Sequence, residues 1–158
     1  MANSPDRTPT WTDRLDPPLE HLERLRHGHA VLEPCGVGWD AVVVAPLRRG
    51  LEALDAMELP ADEGYAVIAD YNREELITYV ALGTAEALAH VRGVRVLPRH
   101  SWLLTPAGET GTLSAAWLSR PAARSARYVD AEALRDALLA TDAERHDRAD
   151  RIEHARAH

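Results

Sequence analysis

Apolar positions recur along this chain at two spacings, and the switches between them set the order of elements. Leu19, Leu22 and Leu25 lie three apart behind Pro17 and Pro18, which predicts a helix that Asp16 can cap and Gly28 ends. Ala30-Val31-Leu32 is a short strand candidate. Pro34-Cys35-Gly36-Val37-Gly38 reads as a turn, because proline and two glycines do not continue regular pairing. Trp39 through Ala45 reads WDAVVVA, a β-branched run apolar on both faces, as expected of a strand covered on each side. Pro46 then opens a helix in which Leu47, Leu51, Leu54 and Met57 form an apolar stripe, while Arg48, Arg49, Glu52 and Asp55 are expected to face water.

Residues 65–69 and 75–82 predict two antiparallel strands joined through Asp70-Tyr71-Asn72-Arg73. Thr84 is expected to cap a short helix over 85–91 that Gly93 ends. Residues 94–97 and 101–104 read as a strand pair around Pro98-Arg99-His100, and Pro106-Ala107-Gly108 with Gly111 as a loop. A strand over 115–118 follows, and Asp130 caps a last helix carrying Ala133, Leu134, Ala137 and Leu138. This order describes an α+β protein, an α/β sandwich whose mixed, largely antiparallel sheet is flanked by helices.

Three regions follow from the same pattern. Residues 1–16 carry Pro5, Pro9 and polar side chains around Trp11 and read as a flexible arm without a role in the fold. Residues 17–140 form a single α+β domain. Residues 141–158 form a charged helical tail with Ile152 as its one large apolar side chain. Ion pairs of about 0.3 to 0.5 kcal/mol each would leave it frayed unless it docks on a partner.

A chain of 158 residues suits one core. No apolar run nears the roughly 20 residues of a membrane helix, and MANSPDRTPT lacks the basic start and apolar centre of a signal peptide. The expectation is a cytoplasmic protein without membrane contact. Cys35 is the only cysteine, so one chain forms no disulfide and no cysteine zinc site, in keeping with a reducing compartment.

The net charge of −7 argues against a surface wholly given to nucleic acid. Charge is unevenly spread, however. Nine acids stand against Arg73 alone between Glu52 and His90, whereas Arg92, Arg95, Arg99, Arg120, Arg124 and Arg127 stand against Glu109 alone between 92 and 127. A solvated face, pairing between the two blocks, or an anion site would each produce this pattern. All 18 cations are arginine, which reflects a GC-rich genome more economically than a demand for guanidinium chemistry.

The chain offers little recognisable catalytic chemistry. His27 and His29 could clip a metal only with a carboxylate that their segment lacks, and His146 and His154 only through another chain. Cys35 has no general base beside it, and Ser101 and Ser114 lie in no nucleophile-elbow pattern. Gly36-Val37-Gly38 precedes a strand, the reverse of a helix-dipole phosphate site. Asp40 is the one acid of the central strand and stands at its beginning, where a surface role is the simpler reading. Tyr71, Tyr79, Trp102 and Trp117 could stack on bases beside the arginine block, although aromatics in strands are more often core.

The segments WDAVVVAPLRRGLEAL, AVIADYNREELITYVALGTA and VRVLPRHSWLLTPAG, with a tryptophan-bearing strand before DAEALRDAL, carry a family resemblance. From about His29 to Leu138 the chain resembles small actinobacterial proteins of the bifunctional DNA primase/polymerase N-terminal (prim-pol) family, within the archaeo-eukaryotic primase superfamily. Active members carry two metal-binding acids at the end of the first strand, a histidine in the hairpin and a further acid in a later strand. The resemblance places the two acids at Val43 and Ala45, the histidine at about Glu75 or Leu76, and the later acid near Arg95, where the charge is reversed. It therefore implies a catalytically degenerate domain with no metal and no cofactor, because aliphatic side chains hold no divalent ion. The expected role is a binding or regulatory module for nucleotide or nucleic-acid phosphate. Its anion surface would comprise Arg92, Arg95, Arg99, His100, Arg120, Arg124 and Arg127, which converge only if the later strands are neighbours. The alternative is an assembly module that docks on a protein partner through its C-terminal helix and exposed aromatics, without nucleic acid.

Overall fold

The computed structural model describes residues 8–124 and 126–157; residues 1–7 of the expected arm and residue 158 of the tail lie outside them. The helices are α1 (Leu19–Arg26), α2 (Leu47–Ala56) and α3 (Ala131–Arg156), with 3-10 turns at Thr12–Arg14 and Ala85–Leu88. The strands are β1 (His29–Pro34), β2 (Asp40–Val44), β3 (Val67–Asp70), β4 (Glu75–Val80), β5 (Val94–Val96), β6 (Trp102–Ala107), β7 (Gly111–Thr112) and β8 (Ala115–Ser119). The fold is α+β. Six strands form one antiparallel sheet in the order β5-β2-β4-β3-β8-β7, and β1 pairs with β6 as a separate antiparallel ribbon. Among the described residues no helix is long and apolar enough to cross a membrane.

Alternation along β2 and β4 divides the core into two layers. Val42, Val44, Leu76 and Val80 face one side, where Leu47, Leu51 and Leu54 of α2 and Leu134 and Leu138 of α3 cover them. Ala41, Val43, Ile77 and Tyr79 face the other, where Cys35 and Leu103 of the ribbon region pack. A strand apolar on both faces needs exactly such double cover. Gly50 lets α2 approach closely, since a Cβ there would stand 2.9 Å from the Leu76 Cβ.

Several local expectations change. The segments over 94–97 and 101–104 do not pair with each other: β5 joins β2, and β6 joins β1. His100 is left-handed at φ 67°, and its N–H donates to the Cys35 carbonyl while the Cys35 N–H donates to Ser101, so the chain is carried out of the sheet toward β1. Residues 106 and 107, expected in a loop, extend β6; a two-stranded ribbon tolerates the missing N–H of Pro106. Asp130 caps α3 by accepting from the Ala133 N–H at 2.8 Å. No side chain caps α1, whose N-cap residue is Pro18 rather than Asp16, and the Thr84 hydroxyl donates back to the Ala81 carbonyl instead of capping.

Arg49 does not face water. It is 6% exposed and donates from Nε and Nη2 to the two Asp142 carboxylate oxygens at 2.8 and 2.6 Å, and from Nη1 to the Arg92 carbonyl. Arg145 pairs with Glu52, so the first turn of the expected tail is fastened to α2. Residues 143–157 are otherwise an exposed continuation of α3.

Trp11 likewise belongs to the core, at 2% exposure. Its indole N–H donates to the Leu59 carbonyl at 2.8 Å, and the Asp55 carboxylate accepts from the backbone N–H groups of Trp11 and Thr12. Asp55 thus serves the 3-10 turn as a cap supplied from another helix. Arg14 extends the attachment through the Leu118 carbonyl and Asp62. The Trp11→Ala variant is expected to lose about 3 to 5 kcal/mol of stability in urea titrations, as for a buried aromatic; a loss below about 1 kcal/mol would show that the segment is not part of the cooperative fold.

Candidate functional site

Register builds the site. Val43 lies directly opposite Ile77 of β4 on one side and Arg95 of β5 on the other. All three side chains therefore share the face turned away from the helices, and Glu75, two residues before Ile77, shares it by alternation. A cleft of about 390 Å³ opens there against the ribbon, with Val43, Asp70, Arg73, Glu75, Arg95 and Trp102 among its lining residues.

Its charges are tied together across an aliphatic floor. The Arg95 guanidinium donates to the Glu75 carboxylate at 2.8 Å, spanning β2 where the side chain beneath is Val43. Asp70 and Glu75 are register partners across the β3–β4 hairpin, a juxtaposition of like charges that Arg95 relieves. Asp70 also accepts from the Arg73 N–H at 2.9 Å and so closes the turn. Asn72 donates to the Ser114 hydroxyl at 2.8 Å, tying this turn to the segment before β8. On the ribbon side Trp102 is 65% exposed, and its neighbour on the same ribbon face, Leu104, also lines the cleft.

The expected positions meet this geometry unequally. Val43 and Arg95 come together as described, and Ala45 follows just past the end of β2. Of the two hairpin positions, Glu75 lines the cleft, whereas Leu76 is buried on the helix side. The seven-residue anion surface does not converge. Arg95 stands on β5 at one edge of the sheet and Arg120 directly follows β8, four strand spacings or about 19 Å away. Arg92 precedes β5 with its carbonyl held by Arg49, and Arg99 and His100 occupy the connection to β6 beside Gly36. Arg120 pairs with Glu109 and Arg127 with Glu63, and Arg124 is exposed in the segment after β8. Strand order separates these groups, which sequence proximity could not reveal. Asp70 and Arg73 are site residues that the sequence reading does not single out; a hairpin register counted outward from the turn places Asp70 opposite Glu75.

Of the four possible stacking aromatics, Trp102 alone is widely exposed. Tyr79 lies beneath Trp39, stacked at 3.7 Å with planes 5° apart. Tyr71 is half-buried with its hydroxyl donating to the Arg14 carbonyl, and Trp117 is half-buried. Cys35 is buried, and desolvation raises its thiol pKa, opposed by a hydrogen bond with Ser101 and reinforced by Asp40. That thiol is held in its unreactive protonated form.

The divalent metal ions that a nucleotidyl transferase would use do not fit here. Val43 and Ala45 offer no oxygen, Glu75 is engaged by Arg95, and Asp70 closes its own turn. Among the described residues no group of three or more His, Cys, Asp or Glu side chains could hold a metal ion. Comparison with protein-family models, with curated proteins and with solved structures finds no match to this chain.

Two phenols, the half-buried Tyr71 against the helix-side core and the buried Tyr79 on the opposite face of the sheet, also make the fold sensitive to alkali. Desolvation pushes the Tyr71 phenol up to about 12, against the nearby Arg14, and raises that of Tyr79 with help from Glu33 and Cys35. The fold favours both protonated phenols, so their contribution is complete below the unfolded value of about 10 and is lost as pH rises through the higher folded values. Urea titrations are expected to show stability falling above about pH 10. The Tyr71→Phe, Tyr79→Phe double variant should flatten that descent, and an unchanged alkaline slope would contradict the assignment. At neutral pH Tyr79→Phe alone should be neutral or stabilising, because its buried hydroxyl has no hydrogen-bond partner among the described residues.

Proposed function

We propose that this chain is a non-catalytic, prim-pol-like domain that acts as a binding or regulatory module, receiving nucleotide or nucleic-acid phosphate in the cleft above Val43. The observation that carries the reading is the exposed Trp102 at the edge of a cleft that also holds Arg73 and Arg95. Guanidinium groups pair with phosphate oxygens, and a tryptophan face stacks on any base. Residues 43 and 45 are aliphatic, and of the carboxylates in the cleft Asp70 closes its own turn and Glu75 is held by Arg95, so the set is poor in ligands for the metal ions that phosphoryl transfer uses. Binding without turnover is what such a set of side chains can do.

Fluorescence anisotropy of a labelled oligothymidylate at low and moderate salt tests this. Trp102→Ala is expected to cost about 1 to 3 kcal/mol of binding. Replacing Arg73 and Arg95 with alanine should weaken binding and reduce the salt slope by about 1.4, the value for two single-strand phosphate contacts. Absence of binding at low salt, or binding indifferent to these residues, would remove the proposal.

A second reading draws on α3, whose residues 143–157 are exposed on every side. A helix polar all round persists by bridging to something or through its own ion pairs. In this reading the tail docks on a protein partner. Truncation must spare Asp142 and Arg145, which fasten α3 to α2. Removing residues after His146 is expected to abolish partner capture without lowering the melting temperature, and undiminished capture would exclude the idea.

A further inference from the structure

We infer that Glu75 guards Arg95, so that the cleft accepts ligands carrying two or more neighbouring phosphate groups and turns away single small anions. The inference rests on the reading of the cleft as a phosphate site and adds what kind of phosphate it selects.

The charged side chains lining the cleft are Asp70, Arg73, Glu75 and Arg95, which cancel. A single anion is therefore offered no net attraction. To take over the Arg95 Nη2 donor that Glu75 occupies, it must displace that carboxylate, exchanging one carboxylate contact for one phosphate contact. Glu75 is held in place, its side chain 18% exposed against 56% for Arg95. Once released, it would face Asp70 across the hairpin without a compensating cation, and like charges directly opposite on paired strands repel. The exchange thus gives a lone anion nothing at Arg95, and at the exposed Arg73 it meets one solvated guanidinium, a contact that contributes little by itself.

A second phosphate changes the balance. Among the described residues Arg73 is in no ion pair, so an anionic group reaching it displaces no carboxylate. One phosphate meets Arg73 without competition while its neighbour takes Arg95 from Glu75. The shared chemistry is a pair of adjacent phosphates, found both in a polyphosphate chain and along a nucleic-acid backbone.

Titration calorimetry with inorganic phosphate, tripolyphosphate and oligothymidylate distinguishes these cases. Wild-type protein is expected to bind tripolyphosphate, oligothymidylate or both, and inorganic phosphate far more weakly. A response to tripolyphosphate points to a polyphosphate chain, and a response to oligothymidylate alone to a nucleic-acid backbone. Glu75→Gln should tighten binding of every probe that binds by about two- to fivefold, the upper part of the range an exposed ion pair spans. Glu74→Gln makes the same charge change on the next residue, which lines a different cavity, and should alter affinity less than twofold. Equal tightening by both variants, no tightening by Glu75→Gln, or inorganic phosphate bound as tightly as the polyanions would overturn the guard while leaving the phosphate reading standing. Silence of wild type and Glu75→Gln toward all three probes would overturn both. Melting temperatures within a degree or so of wild type show that the folds compare.

Discussion

The structure depends on covering β2 and β4 from both sides. Val42 and Val44 point one way and Ala41 and Val43 the other, all of them buried, so a single helical layer would leave half of the central apolar surface in water. At roughly 25 cal/mol per Å² that loss exceeds what any one surface pair could return. The β1–β6 ribbon supplies the second cover through Leu103 and the adjoining Cys35. A short ribbon does not seal a six-stranded sheet, and the part of the face around Val43, Glu75 and Arg95 remains as a cleft. The candidate site is thus a consequence of how the core is closed.

Charge does two different jobs in this molecule. Arg95–Glu75 and Arg127–Glu63 join the acidic and basic stretches of the chain, but each is partly exposed and contributes little to stability. Arg49 is another matter, because its buried guanidinium is held by Asp142 from α3 and by the carbonyl of Arg92. Removing one partner would strand a desolvated cation. The left-handed Gly93 makes room for it: a Cβ there would stand 2.7 Å from the Arg49 Nη1. One side chain thereby fixes α3 against α2 and the entry to β5, and hence the strand on which Arg95 is presented.

Most elements were legible because periodicity reports which face is buried. β2, α2, the β3–β4 hairpin and the Asp130 cap all follow from local pattern. Trp11 was not legible: one aromatic among prolines and polar residues carries no period, and its partners Asp55 and Leu59 lie more than 40 residues away. Arg49 was misread for a related reason, since a helical pattern marks polar positions without showing that another helix brings Asp142 to meet one of them. The arginines near the end of the chain failed to gather because strand order places three strands between β5 and β8. The pair Val43 and Arg95, by contrast, rests on one cross-strand register.

The same charge distribution bears on how the proposed phosphate ligand would be met. A chain of net charge −7 repels a polyanion at long range, and the cleft, whose lining charges cancel, does not focus an opposing field. Encounter therefore gains no electrostatic acceleration, and discrimination falls to contacts made after arrival: exchange at Arg95, an uncontested Arg73, and stacking on Trp102. Such contacts act within a few ångströms and set the lifetime of a complex more than its rate of formation. A site of this kind favours a ligand that engages all three groups at once over one that engages any of them alone.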